Sequence, residues 1–380
     1  MKKTNKMDVT KFKKLKITTS RLGFGCMRFP TNDDGTINEV EAEAMIDYAM
    51  EHGVNYYDTA YPYHNGQSEV FLGKILDKYP RKNYYIATKL PIWEVENVED
   101  ARRIFDEQLT RLNKDYVDFY LLHALNKERF KKVKELGIIK FLENLREEGK
   151  IKYIGFSFHD DLDCFLDILK YYKWDFGQIQ YNYMDQYTLH GRDFIYYSSE
   201  IEMPLIIMEP LKGGLLAKLP LDVSRLFKDY KPTETDVSWA LRFVASHRNT
   251  AVILSGMSSL EQVKENVKIF SPFVAYDTNE RQIIRDVIAK LEKRVKNGCT
   301  GCRYCMPCPY GVDIPRSFHL WNTASIYNNE ISIKASWNAL KENSESPYSC
   351  HKCGVCEEKC PQKIKIRDDL EKITEQFKDL

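Results

Sequence analysis

The sequence predicts an α/β chain in two parts, a (β/α)8 TIM barrel over residues 1–285 and a small, mainly helical domain over residues 286–380. Three observations carry this reading. The chain has 380 residues, whereas such a barrel takes about 250, so a sizeable appendage remains. From about residue 20 to 270, short β-rich runs alternate with longer segments of helical period, which is how a barrel reads. Eight of the ten cysteines are held back until Cys299, and there the alternation stops.

Expected strands fall at residues 22–26, 54–58, 84–88, 117–122, 151–157, 177–181, 205–209 and 252–254. Tyr-Val-Asp-Phe-Tyr-Leu-Leu from Tyr116 and Pro-Leu-Ile-Ile-Met from Pro204 are nearly continuous apolar runs, as suits strands buried on both faces. The helices between them are punctuated. Asn38 can cap a helix over residues 39–52, with Glu41 placed for a capping box and Gly53 to end it. Gly149 closes a helix over residues 138–148 in the same way, and residues 233–247 and 259–270 give the last two. No G-x-G-x-x-G follows the first strand, which argues against an open dinucleotide-binding sheet. Residues 280–296 read as one more helix, leading into the cysteine region.

Composition excludes several classes of function. With 56 Lys+Arg against 55 Asp+Glu the net charge is +1, without the basic excess of a nucleic-acid binder. No stretch reaches the eighteen or so apolar residues of a membrane span. The start lacks the apolar segment of a signal peptide. The expectation is a cytoplasmic protein whose thiols stay reduced, which weighs against a disulfide framework.

Polar residues then recur at the ends of successive strands. Asp58 and Tyr63 follow the second strand in Asn-Tyr-Tyr-Asp-Thr-Ala-Tyr-Pro-Tyr, Lys89 ends the third, and His123 ends the fourth. Such positions share the C-terminal mouth of a barrel, where barrel active sites sit. Taken singly, each has an ordinary structural explanation; four in succession favour chemistry. A tyrosine needs a nearby cation to act as an acid at neutral pH. Lys89 can supply that charge, Asp58 can hold Lys89, and His123 can fix a carbonyl oxygen. The set suits protonation of an alkoxide as a hydride reaches a carbonyl carbon.

At this point the chain resembles the aldo-keto reductase family, whose Asp–Tyr–Lys–His tetrad has this order and similar spacing. Leu-Gly-Phe-Gly near the start, Gly155-Phe-Ser157, Gln180, Pro210-Leu211 and Glu265-Asn266 match as well. The resemblance spans roughly residues 20–270. It implies NAD(P)H-linked interconversion of a carbonyl and an alcohol, with Asp58, Tyr63, Lys89 and His123 catalytic. It also implies a nucleotide site at Gly25, Met27, Ser157, Gln180, Met208, Pro210, Leu211, Gly256, Gln262, Glu265 and Asn266. Two departures stand out. Phe158 and His159 follow Ser157 where the family usually has Asn, and Met208 stands where an aromatic ring usually stacks on the nicotinamide. Members that prefer NADP place basic residues ten and four positions before the Asn of Glu-Asn. Here those places hold Gly256 and Gln262, so no preference for NADP(H) is expected; Lys264 should face another side, although Lys268 could reach back.

The cysteines form two runs, Cys299-x2-Cys302-x2-Cys305-x2-Cys308-Pro and Cys350-x2-Cys353-x2-Cys356-x3-Cys360-Pro. The second has the spacing of bacterial ferredoxins. Structural zinc is the competing reading, since paired C-x2-C motifs also hold that ion, but it explains neither the third even spacing nor the prolines. Resemblance to two-cluster ferredoxins implies two 4Fe-4S clusters that exchange their fourth ligands. One would use Cys299, Cys302, Cys305 and Cys360, the other Cys350, Cys353, Cys356 and Cys308. The first run is one residue short before Cys308. Between the runs, Phe318, Trp321, Tyr327 and Trp337 suggest a small packed core under the clusters.

The leading expectation is an iron–sulfur oxidoreductase whose barrel handles hydride and whose clusters carry single electrons. Hydride and single electrons do not interconvert unaided, so a flavin is a further cofactor to consider. One alternative is an ordinary carbonyl reductase with structural or regulatory clusters. Another is a non-enzymatic electron-transfer subunit on a relic barrel. Expected partners are a small carbonyl or alcohol substrate and a ferredoxin or other redox protein, with no nucleic acid and no membrane.

Overall fold

The computed structural model describes residues 6–187 and 190–380. Two compact units emerge: one runs to Gly213 and resumes over Val237–Asp277, and the other joins Gly214–Asp236 to Thr278–Leu380.

The first unit contains a hairpin, β1 (Val9–Phe12) and β2 (Ile17–Ser20), and then eight parallel strands. These are β3 (Leu22–Gly25), β4 (Tyr56–Asp58), β5 (Tyr85–Leu90), β6 (Val117–Leu125), β7 (Ile151–Phe158), β8 (Phe176–Gln180), β9 (Leu205–Met208) and β10 (Thr250–Ser255). Each pairs with the next and β10 returns to β3, which closes the barrel. All eight expected strands are present, with ends shifted by a few residues. Asn38 caps the helix Glu39–Glu51 as expected, accepting from the Glu41 amide, and Gly53 leaves it at φ +88°. Ser259 caps Leu260–Ile269, while the preceding helix starts only at Asp236.

The hairpin is absent from the sequence expectations. Its segment is rich in lysine and too short to show a clear alternation, and what fixes it is tertiary. Phe12 is buried against Phe119, ring centroids 6.1 Å apart, in a cluster with Tyr56, Ala87, Phe176 and Val252. These barrel residues lie toward the N-terminal ends of their strands, so the hairpin stoppers that end.

In the second unit the helix Thr278–Glu292 packs on Leu221–Tyr230. Lys231 meets Glu280 at 2.7 Å and Arg294 meets Asp222 at 2.5 Å. The boundary expected after residue 285 therefore falls inside a continuous helix. Helices Ile314–Tyr327, Lys334–Glu342 and Ile366–Gln376 enclose Phe318, Trp321, Trp337, Ile373 and Phe377. Cys299, Cys305, Cys308, Cys350 and Cys356 pack on this core. It is the small core anticipated between the cysteine runs.

Candidate functional site

Asp58 ends β4, Lys89 lies near the end of β5, and His123 lies near the end of β6, so parallel pairing brings all three to the C-terminal mouth. Tyr63 comes from the loop beyond β4. Behind it the chain turns through His64 (φ 50°), Asn65 (φ 54°) and Gly66 (φ 87°). Left-handed backbone is costly for residues with a Cβ, and tertiary contacts hold it: the His64 ring accepts from the Phe29 amide at 3.2 Å. Lys89 is braced from behind. Gln108 donates to its carbonyl at 3.0 Å, and the adjacent Thr88 hydroxyl donates to buried Glu69 at 2.6 Å.

The Lys89 ammonium donates to Asp58 Oδ1 at 2.6 Å, to the Thr59 carbonyl at 2.7 Å and to the Tyr63 hydroxyl at 3.4 Å. All three of its protons thus have an acceptor. Burial works against this cation, but Asp58 and Tyr63 together outweigh it, and the Lys89 pKa stands above its ordinary value. Burial raises the Asp58 carboxyl, opposed by Lys89, and raises the Tyr63 phenol, again opposed by Lys89. His123 is pushed well below its ordinary range by burial, with Lys89 adding to the effect, so its imidazole is neutral. The His123 ring stands edge-on to Tyr63 at 6.1 Å, and among the described residues its Nδ1 has no hydrogen-bond partner. Cys26, buried beside this group, is kept an un-ionised thiol by burial and Asp58.

Sequence reasoning missed four contributors. Gln178 on β8 donates to Asp58. Trp93 packs its ring 5.0 Å from that of His123, and the Arg129 guanidinium lies 4.8 Å over the Trp93 ring. Arg28 lays its methylenes over Gly256, where an added Cβ would come within 3.0 Å of them. For Gln178 the signal was its place on an inward strand position; the others are joined only by the fold.

The residues expected to hold a nucleotide meet mixed fates. Gly25 ends β3, and a Cβ there would lie 3.2 Å from the Ser255 carbonyl. Met27 is 55% exposed on the loop that follows. Ser157 Oγ accepts from the Ala124 amide at 2.6 Å, and Gln180 donates to Asp185 at 3.2 Å. Met208 ends β9, with Pro210 and Leu211 just beyond it. Gln262 accepts from the Ser258 amide at 2.8 Å. Asn266 turns inward and donates to Ser255 Oγ at 2.8 Å, while Glu265 lies beside it on the helix Leu260–Ile269. Lys264 does face another side, its ammonium 5.8 Å over the Tyr48 ring. Gly25 and Gly256, where an added Cβ would be crowded, and the hydroxyl and amide groups of Ser157, Gln180 and Asn266 have the chemistry that suits an extended dinucleotide.

In the second unit, Cys299, Cys302, Cys305 and Cys360 line one cavity together with Ile314, Phe318 and Ile364. Cys360, distant in sequence, thus joins the first run. Burial, the neighbouring Glu357, and then Cys350 and Cys308 push the Cys356 thiol up to about 11, so Cys308 lies with the second run. Two groups of soft donors over an apolar floor fit a pair of iron–sulfur clusters.

Comparison with known proteins agrees with both halves. Residues 21–288 match the model of the aldo/keto reductase family, and residues 298–364 match that of a 4Fe-4S dicluster domain. A probable aldo-keto reductase 1 from Glycine max is 34% identical over 146 residues, which is 36% of this chain and 41% of that protein. The NADH-specific methylglyoxal reductase of Escherichia coli is 25% identical over 324 residues, covering 73% of this chain and 97% of its own length. Among solved structures, the aldo-keto reductase AKR11C1 from Bacillus halodurans, in its holo form, superposes with a TM-score of 0.63. It is 27% identical, covering 74% of this chain and 96% of that one.

Proposed function

This chain belongs to the aldo/keto reductase family and is an oxidoreductase; on that premise we propose that its barrel interconverts a carbonyl compound and an alcohol with NAD(P)H. The observation that carries the reading is the Lys89 ammonium, held by Asp58 and directed at the Tyr63 hydroxyl. The nicotinamide supplies or accepts the hydride. Tyr63 gives its proton to the substrate oxygen in reduction, and the Lys89 charge stabilises the phenolate left behind. Asp58 keeps Lys89 charged and oriented. His123, neutral, holds the carbonyl oxygen and fixes its distance from the phenol.

Cys299, Cys302, Cys305 and Cys360 would hold one 4Fe-4S cluster, and Cys350, Cys353, Cys356 and Cys308 the other. The clusters would supply one-electron transfer, for which a ferredoxin or similar redox protein is a fitting partner.

Replacing Tyr63 with Phe tests the barrel's role. The variant should lose carbonyl reduction by about 100-fold or more while binding dinucleotide almost as tightly as before, because the phenol acts only on the substrate oxygen. Retained turnover would assign the proton to another group.

A further inference from the structure

The tetrad does not account for the charge of Arg129. Arg129 lies in the first turn of the helix Lys127–Glu135, where the Asn126 cap fixes its backbone. Its guanidinium spends one Nη1 proton on the Ala124 carbonyl, at 2.7 Å, and spreads over the face of Trp93. Among the described residues no carboxylate pairs with it, although the chain carries 55 acidic side chains. Two acids tied to its helix are otherwise engaged, Asp160 accepting the Lys127 amide at 2.7 Å and Glu96 pairing with Lys132 at 2.8 Å, and Glu209, whose charge also reaches His159, makes no ion pair with Arg129 among the described residues.

Trp93 ties this cation to the reaction centre. Its ring is tilted against His123, and the His123 ring stands against Tyr63. Both His123 and His159 feel the Arg129 charge. The result is a short row from the proton donor, past the oxygen-holding imidazole and an aromatic wall, to a planar cation with donors to spare. A partly buried guanidinium stacked on an aromatic ring is preorganised for bidentate binding of a carboxylate.

We propose that the substrate is an oxo acid, with Arg129 binding its carboxylate while His123 and Tyr63 act on its carbonyl. The Trp93 ring separates the two polar sites, so the carboxylate stands a few carbons from the carbonyl rather than bonded to it. This rests on the carbonyl-reductase reading of the barrel and adds to it the substrate class.

The test uses the full, anaerobically prepared chain. Steady-state kcat/KM is measured for a five-carbon oxo acid with a terminal aldehyde and for the amide of the same length. The acid should be favoured at least tenfold, mainly through KM. The ratio should fall below about threefold in Arg129→Gln and recover in part in Arg129→Lys, which keeps a charge if the glutamine variant folds poorly. Equal use of acid and amide by the wild type, or an undiminished ratio in both variants, overturns the proposal. Calorimetric titration with glutarate and with its diamide gives a readout that needs no turnover. Glutarate should bind the wild type and not Arg129→Gln, and the diamide should bind neither. If glutarate binds this way while no carbonyl compound is reduced, the anion subsite stands and the carbonyl-reductase reading falls. If glutarate does not bind the wild type, the subsite falls whatever the enzyme reduces.

Discussion

The side-chain amide of Gln178 donates to Asp58 Oδ2 at 3.1 Å, reaching it from the strand directly across the barrel. Since Oδ1 is held by Lys89, both oxygens of this buried carboxylate are fixed, and neither is free to turn toward the substrate. Asp58 therefore serves as a support for Lys89.

The pH dependence of reduction follows from that arrangement. Burial raises the Tyr63 pKa, so the phenol keeps its proton past the ordinary tyrosine value. Burial and Lys89 hold His123 well below its ordinary range, so its titration lies outside the neutral window. We expect kcat/KM for reduction to be flat from about pH 6 to about pH 9, with no step near 6.5, and to fall only beyond about pH 10. In Asp58→Asn, only Tyr63 is left to oppose burial at Lys89, whose pKa drops, and Tyr63 loses a charge that raised its own. Both changes move the alkaline fall toward neutrality. Profiles of the two proteins check this, and an unmoved alkaline limb in the variant would contradict it.

Iron content reports on the ligand exchange. The intact chain should carry about eight iron and eight sulfide after anaerobic preparation. Cys360→Ser should lose about half of the iron. Adding Cys299→Ser should cost little more, because both residues line the same cavity, whereas adding Cys353→Ser should remove most of the remainder. The opposite pattern would mean that each run holds its own cluster.

Nucleotide preference should depend on Arg28. Gly256 and Gln262 bring no charge, but Arg28 lies across Gly256 from the loop after β3. We expect NADH and NADPH to bind the wild type within about tenfold of each other. Arg28→Gln should weaken NADPH the more, since a charge-assisted bond to phosphate contributes about 1.5–3 kcal/mol, or tenfold or more in Kd. Titration of both nucleotides against both proteins decides it; equal weakening would locate Arg28 away from the 2′-phosphate.

The sequence made much of this architecture legible because strands covered by helices keep their apolar runs, and because caps such as Asn38 and Ser259 are local. Asp58, Lys89 and His123 could be read from their places at strand ends, and the two cysteine runs from their spacing. What escaped was set by contacts between distant segments. Phe12 helps to place the hairpin by meeting Phe119, and Arg129 joins the mouth through Trp93 and the Ala124 carbonyl. The helix Leu221–Tyr230 has the period of a barrel helix, yet it belongs to the second unit, where it packs on Thr278–Glu292. No local pattern distinguishes those outcomes.

The stoppered lower end of the barrel has a further consequence. Tyr56, Phe119 and Phe176 fill the space beneath Lys89 and Asp58, and Phe12 closes it from below. The protons on the ammonium and the phenol then trade with bulk water only through the opening that substrates use. Solvent deuterium that appears in the product hydroxyl must therefore have entered through that opening.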